Sequence, residues 1–179
     1  MVKPIYRQLK AASAARLTFP GDESRQAWLP LLLEACAIVD AGINEVIRRE
    51  QAQGRTLACH KGCAACCRSH TTIPIYPLEL IGINWYVVEK ITGPVREQLK
   101  TQLRDHKKGE PCPLLVDNAC AVHPLRPMAC RQFNVFDTVC TEGEDAYYTR
   151  RPDVLTPIHD YADETFDVLL PFYGIKKSA

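Results

Sequence analysis

Leu32, Cys36, Val39, Ile43 and Val46 recur at spacings of four and three. That is the period of one helix face, so the stretch predicts a helix with an apolar stripe turned to a core. Asp22, with another acid beside it, reads as the N-cap of this long helix. Pro30 should kink the helix or split off its first turns. Arg48, Arg49 and Glu50 close it in polar residues, and Gly54 is its expected C-terminal cap. Ahead of it, residues 1–21 read as an arm, helical from Leu9 to Arg16 and ended by Pro20-Gly21.

Further on, Thr71 to Tyr76 reads as extended, because Pro74 and Pro77 turn their predecessors away from the α region. Pro77 suits the first position of a second helix, which Gly93 ends. Leu80, Ile81, Trp85, Val88 and Ile91 are its expected inward residues. A third helix starts near Pro94, with Val95, Leu99 and Leu103 inward. His106, Lys107 and Lys108 fall in its last turn, where positive charge suits the macrodipole. Residues 112–123 then read as a short hairpin turning at Asp117-Asn118. A proline-fixed turn and one helical turn should follow, up to Phe133. Thr156-Pro157 opens a final helix, with Ile158, Ala162, Leu169 and Leu170 inward and Gly174 past its end. The fold class this predicts is mainly α: about four to five helices, a small β-hairpin, and cysteine-rich loops organised around a metal centre. Residues 22–179 are expected to form a single domain.

Composition narrows the function. The 179 residues are 46% apolar and 24% charged, ordinary for a globular domain. Net charge is +1 and no Lys/Arg run exceeds two residues, which argues against a nucleic-acid partner. The longest apolar run, Leu29 to Val39, contains Pro30 and Glu34 and is too short and broken to span a bilayer. The first twenty residues hold no acid and four bases, which we read as a surface helix rather than a transit peptide. A cytoplasmic protein is the expectation. No GxGxxG, P-loop, HExxH or GxSxG motif is present.

The nine cysteines change the picture most. Cys59, Cys63, Cys66 and Cys67 fall inside nine residues, with small Gly62, Ala64 and Ala65 between them. Cys112, Cys120, Cys130 and Cys140 form a second set. In a reducing compartment such clusters bind metals or do redox chemistry rather than forming disulfides. Cys-x2-Cys is half of a four-thiolate zinc site, and the same sulfur density suits an iron–sulfur cluster. The candidate metal ligands are therefore these eight. The ninth, Cys36, reads as a small core hydrophobe.

Between Cys67 and Cys112 lie 44 residues, room for two helices to go out and return, so two cysteine loops should face each other. Adjacent Cys66 and Cys67, if extended, point to opposite sides. Either one of them is a ligand and the other is free, or the two face different centres. The eight thiols could fill two four-thiolate sites or one, with four left over.

Among other polar residues, His123 could complete a Cys3His site but reads better as a surface histidine. His60 is expected to face solvent or stand behind a ligand, and His70 ranks below both. Arg126 and Arg131 could offset the negative charge of clustered thiolates. Glu79 could start a helix that packs behind the cluster.

Cys59-x3-Cys63-x2-Cys66-Cys67, then Cys112-Pro-Leu-Leu, and Cys120-x5-Arg126-Pro127-x2-Cys130-Arg131-x-Phe133, resemble the YkgJ-like CxxCxxCC cysteine-cluster family. The resemblance covers roughly residues 59–140. It implies a zinc- or iron-chelating domain, in a family often labelled iron–sulfur, with all eight cysteines as site candidates. It implies no reaction. His123 departs from it, standing where an aromatic residue is common.

Three roles are expected in order. The first is a metal-binding protein whose zinc or iron centre joins the 59–67 loop to the 112–140 segment. The second is a redox or modification enzyme, or a subunit of one, using an iron–sulfur cluster. Flagellin lysine methylases carry a similar cluster, although no methyl-donor site is recognisable here. The third is a zinc-organised module that binds a protein partner.

Overall fold

Prolines mark where several helices begin. In the computed structural model, which describes residues 16–175, Pro20, Pro77 and Pro94 occupy the first two positions of helices. A missing N–H costs no hydrogen bond there. The described residues form eight α-helices and one two-stranded antiparallel sheet, so the chain is mainly helical. Four helices are long: α2 (Leu29–Ala52), α4 (Pro77–Glu89), α5 (Gly93–Asp105) and α8 (His159–Leu169). The other four are single turns: α1 (Pro20–Glu23), α3 (Ala65–Ser69), α6 (Met128–Gln132) and α7 (Ala146–Thr149). No described helix is long and apolar enough to cross a membrane. The described residues divide into two compact units, residues 16–49 with 156–175, and residues 50–155.

In the first unit, the arm helix expected over Leu9–Arg16 lies almost wholly outside the described residues. Pro20-Gly21 opens α1 rather than ending an arm, and Asp22 sits inside that turn instead of capping the long helix. Pro30 splits off the earlier residues: α2 starts at Leu29, with the proline at its second position. All five residues of the expected stripe are buried, and so are Leu33, Ala35, Ala37 and Ile38. A helix apolar on most of its circumference is buried on most of it. Cys36 lies within this core, as a small hydrophobe would. Ile38 and Ala41 pack against Tyr161 of α8, with Ile158 and Val168 alongside. Gly42 permits that approach, since a Cβ there would stand 2.8 Å from Tyr161 Cγ.

The last helix begins at His159 rather than Pro157, with Ile158 as a cap that makes no side-chain bond. Its buried residues are Tyr161, Thr165 and Leu169. Leu169 is buried as expected, whereas Ile158, Ala162 and Leu170 are only half-buried, so the inward face is turned partway from the one expected. Thr165 is accommodated because its hydroxyl donates to the Tyr161 carbonyl at 2.7 Å.

In the second unit, α4 also turns a different face inward. Leu78, Glu79, Gly82, Ile83 and Val87 are buried, while Leu80, Ile81 and Val88 are exposed. Trp85 and Ile91 are half-buried. Apolar residues lie all round this helix, so periodicity alone does not fix its rotation. Buried Glu79 does: its carboxyl accepts the Tyr76 N–H at 2.8 Å and the Met128 N–H at 2.6 Å. On α5 only Leu99 is buried, with Val95 and Leu103 exposed. The helix ends at Asp105, so His106, Lys107 and Lys108 lie beyond its last turn. Leu99 joins Ile83, Val87, Val116 and Val122 in one apolar cluster.

The expected hairpin is present. Strand β1 (Leu115–Val116) pairs with β2 (Ala119–Cys120), Leu115 opposite Cys120. Asp117 and Asn118 have φ of 49° and 59°. Two consecutive positive φ values make the turn type that matches strand twist.

Candidate metal centre

The first cysteine arm is held by fragments of sheet. Leu57 bridges Phe136, and Val135 bridges Val154. The Ala58 N–H donates to the Val135 carbonyl at 2.8 Å, and the Val135 N–H donates to Cys59 Sγ at 3.3 Å. Two of these bridge residues, Val135 and Val154, form with Ala146 a buried bed on which Cys59, Phe133 and Cys140 pack. Arg55 ties the layer together, pairing with Glu50, Asp137 and Asp153 at 2.7–2.9 Å over the Phe136 ring. Cys63 follows a tight turn in which its N–H donates to the His60 carbonyl. Gly62 supplies the φ of +87° that this turn requires.

Arg150 stands beside Cys140, its Nη2 3.7 Å from the sulfur. Glu144 and Asp153 hold that guanidinium at 2.7 and 3.2 Å. Arg150, the Thr141 N–H and the Thr149 hydroxyl bring the Glu144 carboxyl down to about 2.

Cys66 and Cys67 are not extended. They lie on α3, where successive side chains diverge by roughly 100°. The expectation of opposite-facing side chains rested on a strand geometry that α3 replaces. The two thiols are hydrogen-bonded to each other, which raises Cys66 and lowers Cys67. The Cys67 carbonyl accepts the Cys112 N–H at 2.8 Å, and Arg68 donates to Asn118 at the hairpin tip. Through these bonds α3 meets the second cysteine set. Cys120 packs on the Ile83–Val87–Leu99–Val116–Val122 cluster. Cys130 rides on α6, whose first N–H is the one Glu79 accepts. Buried Arg131 donates to the carbonyls of Arg126 and Pro124, fixing the turn that leads into α6.

Burial pushes the Cys59, Cys120 and Cys140 thiols up, and Cys130 up to about 12. Nearby sulfurs add to each of these shifts. Arg150 acts against it at Cys59 and Cys140, and Arg126 at Cys120 and Cys130.

Of the histidines, the one ranked last is the one at the cysteines. His70 lies one helical turn after Cys66, its side chain only 9% exposed. Its Nε2 stands 2.9 Å from Asp145 Oδ1, and its ring meets Phe133 edge-on at 4.5 Å. A hydrogen bond with Cys66, joined by Asp145, raises its pKa. The i, i+4 spacing from Cys66 was the available signal, hidden by reading the segment as a loop. His60 is exposed, its Nδ1 3.1 Å from the Ala58 carbonyl. His123 is exposed against Arg126. Arg150 carried no local signal, since only the fold brings it to Cys140.

All nine cysteines are thiols, none in a disulfide. Among the described residues, no three His, Cys, Asp or Glu side chains are arranged as a ready-made cation site. The donor chemistry nonetheless fits: eight half-buried soft thiols on short turns, with two guanidinium groups alongside, suit zinc or iron and not a hard cation.

Fold and site together define a mainly helical, cysteine-rich domain with the donor set of a metal chelator. A family model, CxxCxxCC, described as a "putative zinc- or iron-chelating domain", matches residues 58–154. The chain belongs to that family. No curated protein and no solved structure matches it.

Proposed function

We propose that this protein holds zinc or iron through thiolates of the 59–67 turn and the 112–140 segment. One observation carries the reading. Two cysteine-bearing stretches, far apart in sequence, are brought together at α3 by the Cys112 N–H to Cys67 carbonyl bond, with no sulfur spent on a disulfide. The ligands are Cys59, Cys63, Cys66, Cys67, Cys112, Cys120, Cys130 and Cys140. His70, oriented by Asp145, stands behind Cys66 in the way carboxylate–histidine pairs support metal ligands. A bound ion crosslinks short turns that bury little themselves, and so contributes local stability.

Elemental analysis and an absorption spectrum on protein purified without oxygen test this. Stoichiometric zinc without colour identifies a closed-shell structural centre. Iron with broad visible absorption identifies a thiolate-ligated iron or iron–sulfur centre. Full-length folded protein that carries neither metal, and takes up neither after reduction, overturns the proposal.

A further inference from the structure

The eight thiols rest on two different apolar beds. Cys59 and Cys140 pack on Val135, Ala146 and Val154. Cys120 packs on Ile83, Val87, Leu99, Val116 and Val122. Backbone bonds sort others the same way, since Cys112 is tied to Cys67 and, through the hairpin, to Cys120. Electrostatic neighbours agree. Cys140 senses Cys59 and Cys63, whereas Cys67 senses Cys112, Cys120 and Cys130.

We infer that the chain builds two four-thiolate centres, Cys59, Cys63, Cys66 and Cys140 holding one and Cys67, Cys112, Cys120 and Cys130 the other. This rests on the thiolate-metal reading above and adds the count and the partition.

Cys66 is the residue to be placed, because it acts on thiols of both sets. Two facts place it with the first. The second set already has four sulfurs, the full number for a tetrahedral zinc site. The Cys66 carbonyl also accepts the His70 N–H at 2.9 Å, and the His70 ring meets edge-on Phe133, which packs on the same buried bed as Cys59 and Cys140. The divergence of neighbouring side chains on α3 lets Cys66 and Cys67 serve different ions without strain. Four thiolates on a divalent ion leave a net charge of −2, and each set has its own guanidinium to offset it. Arg150 stands at the first and Arg126 at the second. Loading balances simply: up to four S–H protons pass to solvent per ion, four metal–sulfur bonds form, and nothing is oxidised.

The test is zinc stoichiometry by native mass spectrometry on full-length protein, stripped, reduced and reloaded with zinc. Two zinc ions per chain are expected for the wild type, and one each for Cys140→Ser and Cys120→Ser. Alkylation mapping gives a second readout. In zinc-loaded Cys140→Ser, Cys59, Cys63 and Cys66 should become reactive while Cys67, Cys112, Cys120 and Cys130 stay protected. Cys120→Ser should give the reverse. One zinc per wild-type chain, or loss of both ions in either single variant, overturns the partition while leaving metal binding intact. Wild type that binds no zinc and no iron overturns the underlying reading instead. Should a variant fail to fold, the wild-type count and its stepwise loss of thiol protection under limiting chelator still decide.

Discussion

The two units of this chain reach order by different means. Residues 16–49 and 156–175 rely on two of the long helices, α2 and α8, joined by Ile38, Ala41 and Tyr161. Residues 50–155 contain longer irregular stretches, held by backbone bonds between distant loops, by the Arg55 and Arg150 clamps, and by Glu79. Apolar packing is insensitive to solutes that remove metals. A unit that places eight thiols on single-turn helices, loops and a two-residue strand should not be, if those thiols hold the proposed metal. The comparison teaches where this protein's stability should be conditional.

Metal removal is the largest expected effect. A chelator under reducing conditions should abolish hydrogen-exchange protection around α3, the hairpin and α6 while leaving α2 protected. In zinc-finger peptides the binding energy at stake is roughly 10–16 kcal/mol. Equal loss of protection in α2 would erase the distinction between the units. Next, Cys63→Ser should lower metal content. Cys36→Ser, which places a hydroxyl in the core, should leave metal content unchanged and cost about 1–3 kcal/mol in denaturant titration. Equal metal loss in both variants would break the division of the cysteines.

Gly42→Ala sharpens the same contrast from the other side. Its added methyl collides with Tyr161, so a loss of about 1–3 kcal/mol in thermal unfolding is expected with metal content unaltered. Glu79→Ala strands the Met128 N–H and should cost about 1–3 kcal/mol, felt as weaker retention of metal by a chelator assay.

The smallest effect is of pH on the metal-free protein. Burial raises the Cys59, Cys120 and Cys130 thiols in the folded state. Their contribution is complete below the ordinary thiol value of about 8.5. It fades as pH rises through the raised values, about 12 for Cys130. Denaturant midpoints of stripped protein should therefore fall from pH 8 to pH 10.5. Metal-loaded protein should show the opposite trend in acid, releasing metal as protons compete for sulfur. A midpoint rising with alkalinity in stripped protein would contradict the thiol burial.

Helix content was readable at α2 from regular apolar spacing, and at α4 and α5 from the proline that marks each start. Rotation was not. On α4 the choice between burying Leu80 or Glu79 hangs on a backbone N–H at Met128, 49 residues away. The hairpin was legible because Asp117-Asn118 tolerates positive φ locally. The helical turn at Cys66-Cys67 was not legible because a five-residue helix is too short to show a period.

The amino-acid order alone determined that the protein is mainly helical, that it belongs to a zinc- or iron-chelating family, and that eight clustered cysteines are its candidate ligands. These follow from spacing, proline and sulfur, which act over a few bonds. The fold alone decided which thiols share a bed, that His70 and Asp145 stand behind Cys66, and that Arg150 reaches Cys140. Those relations are set by packing and hydrogen bonds between residues distant in the chain, where no local period carries the information.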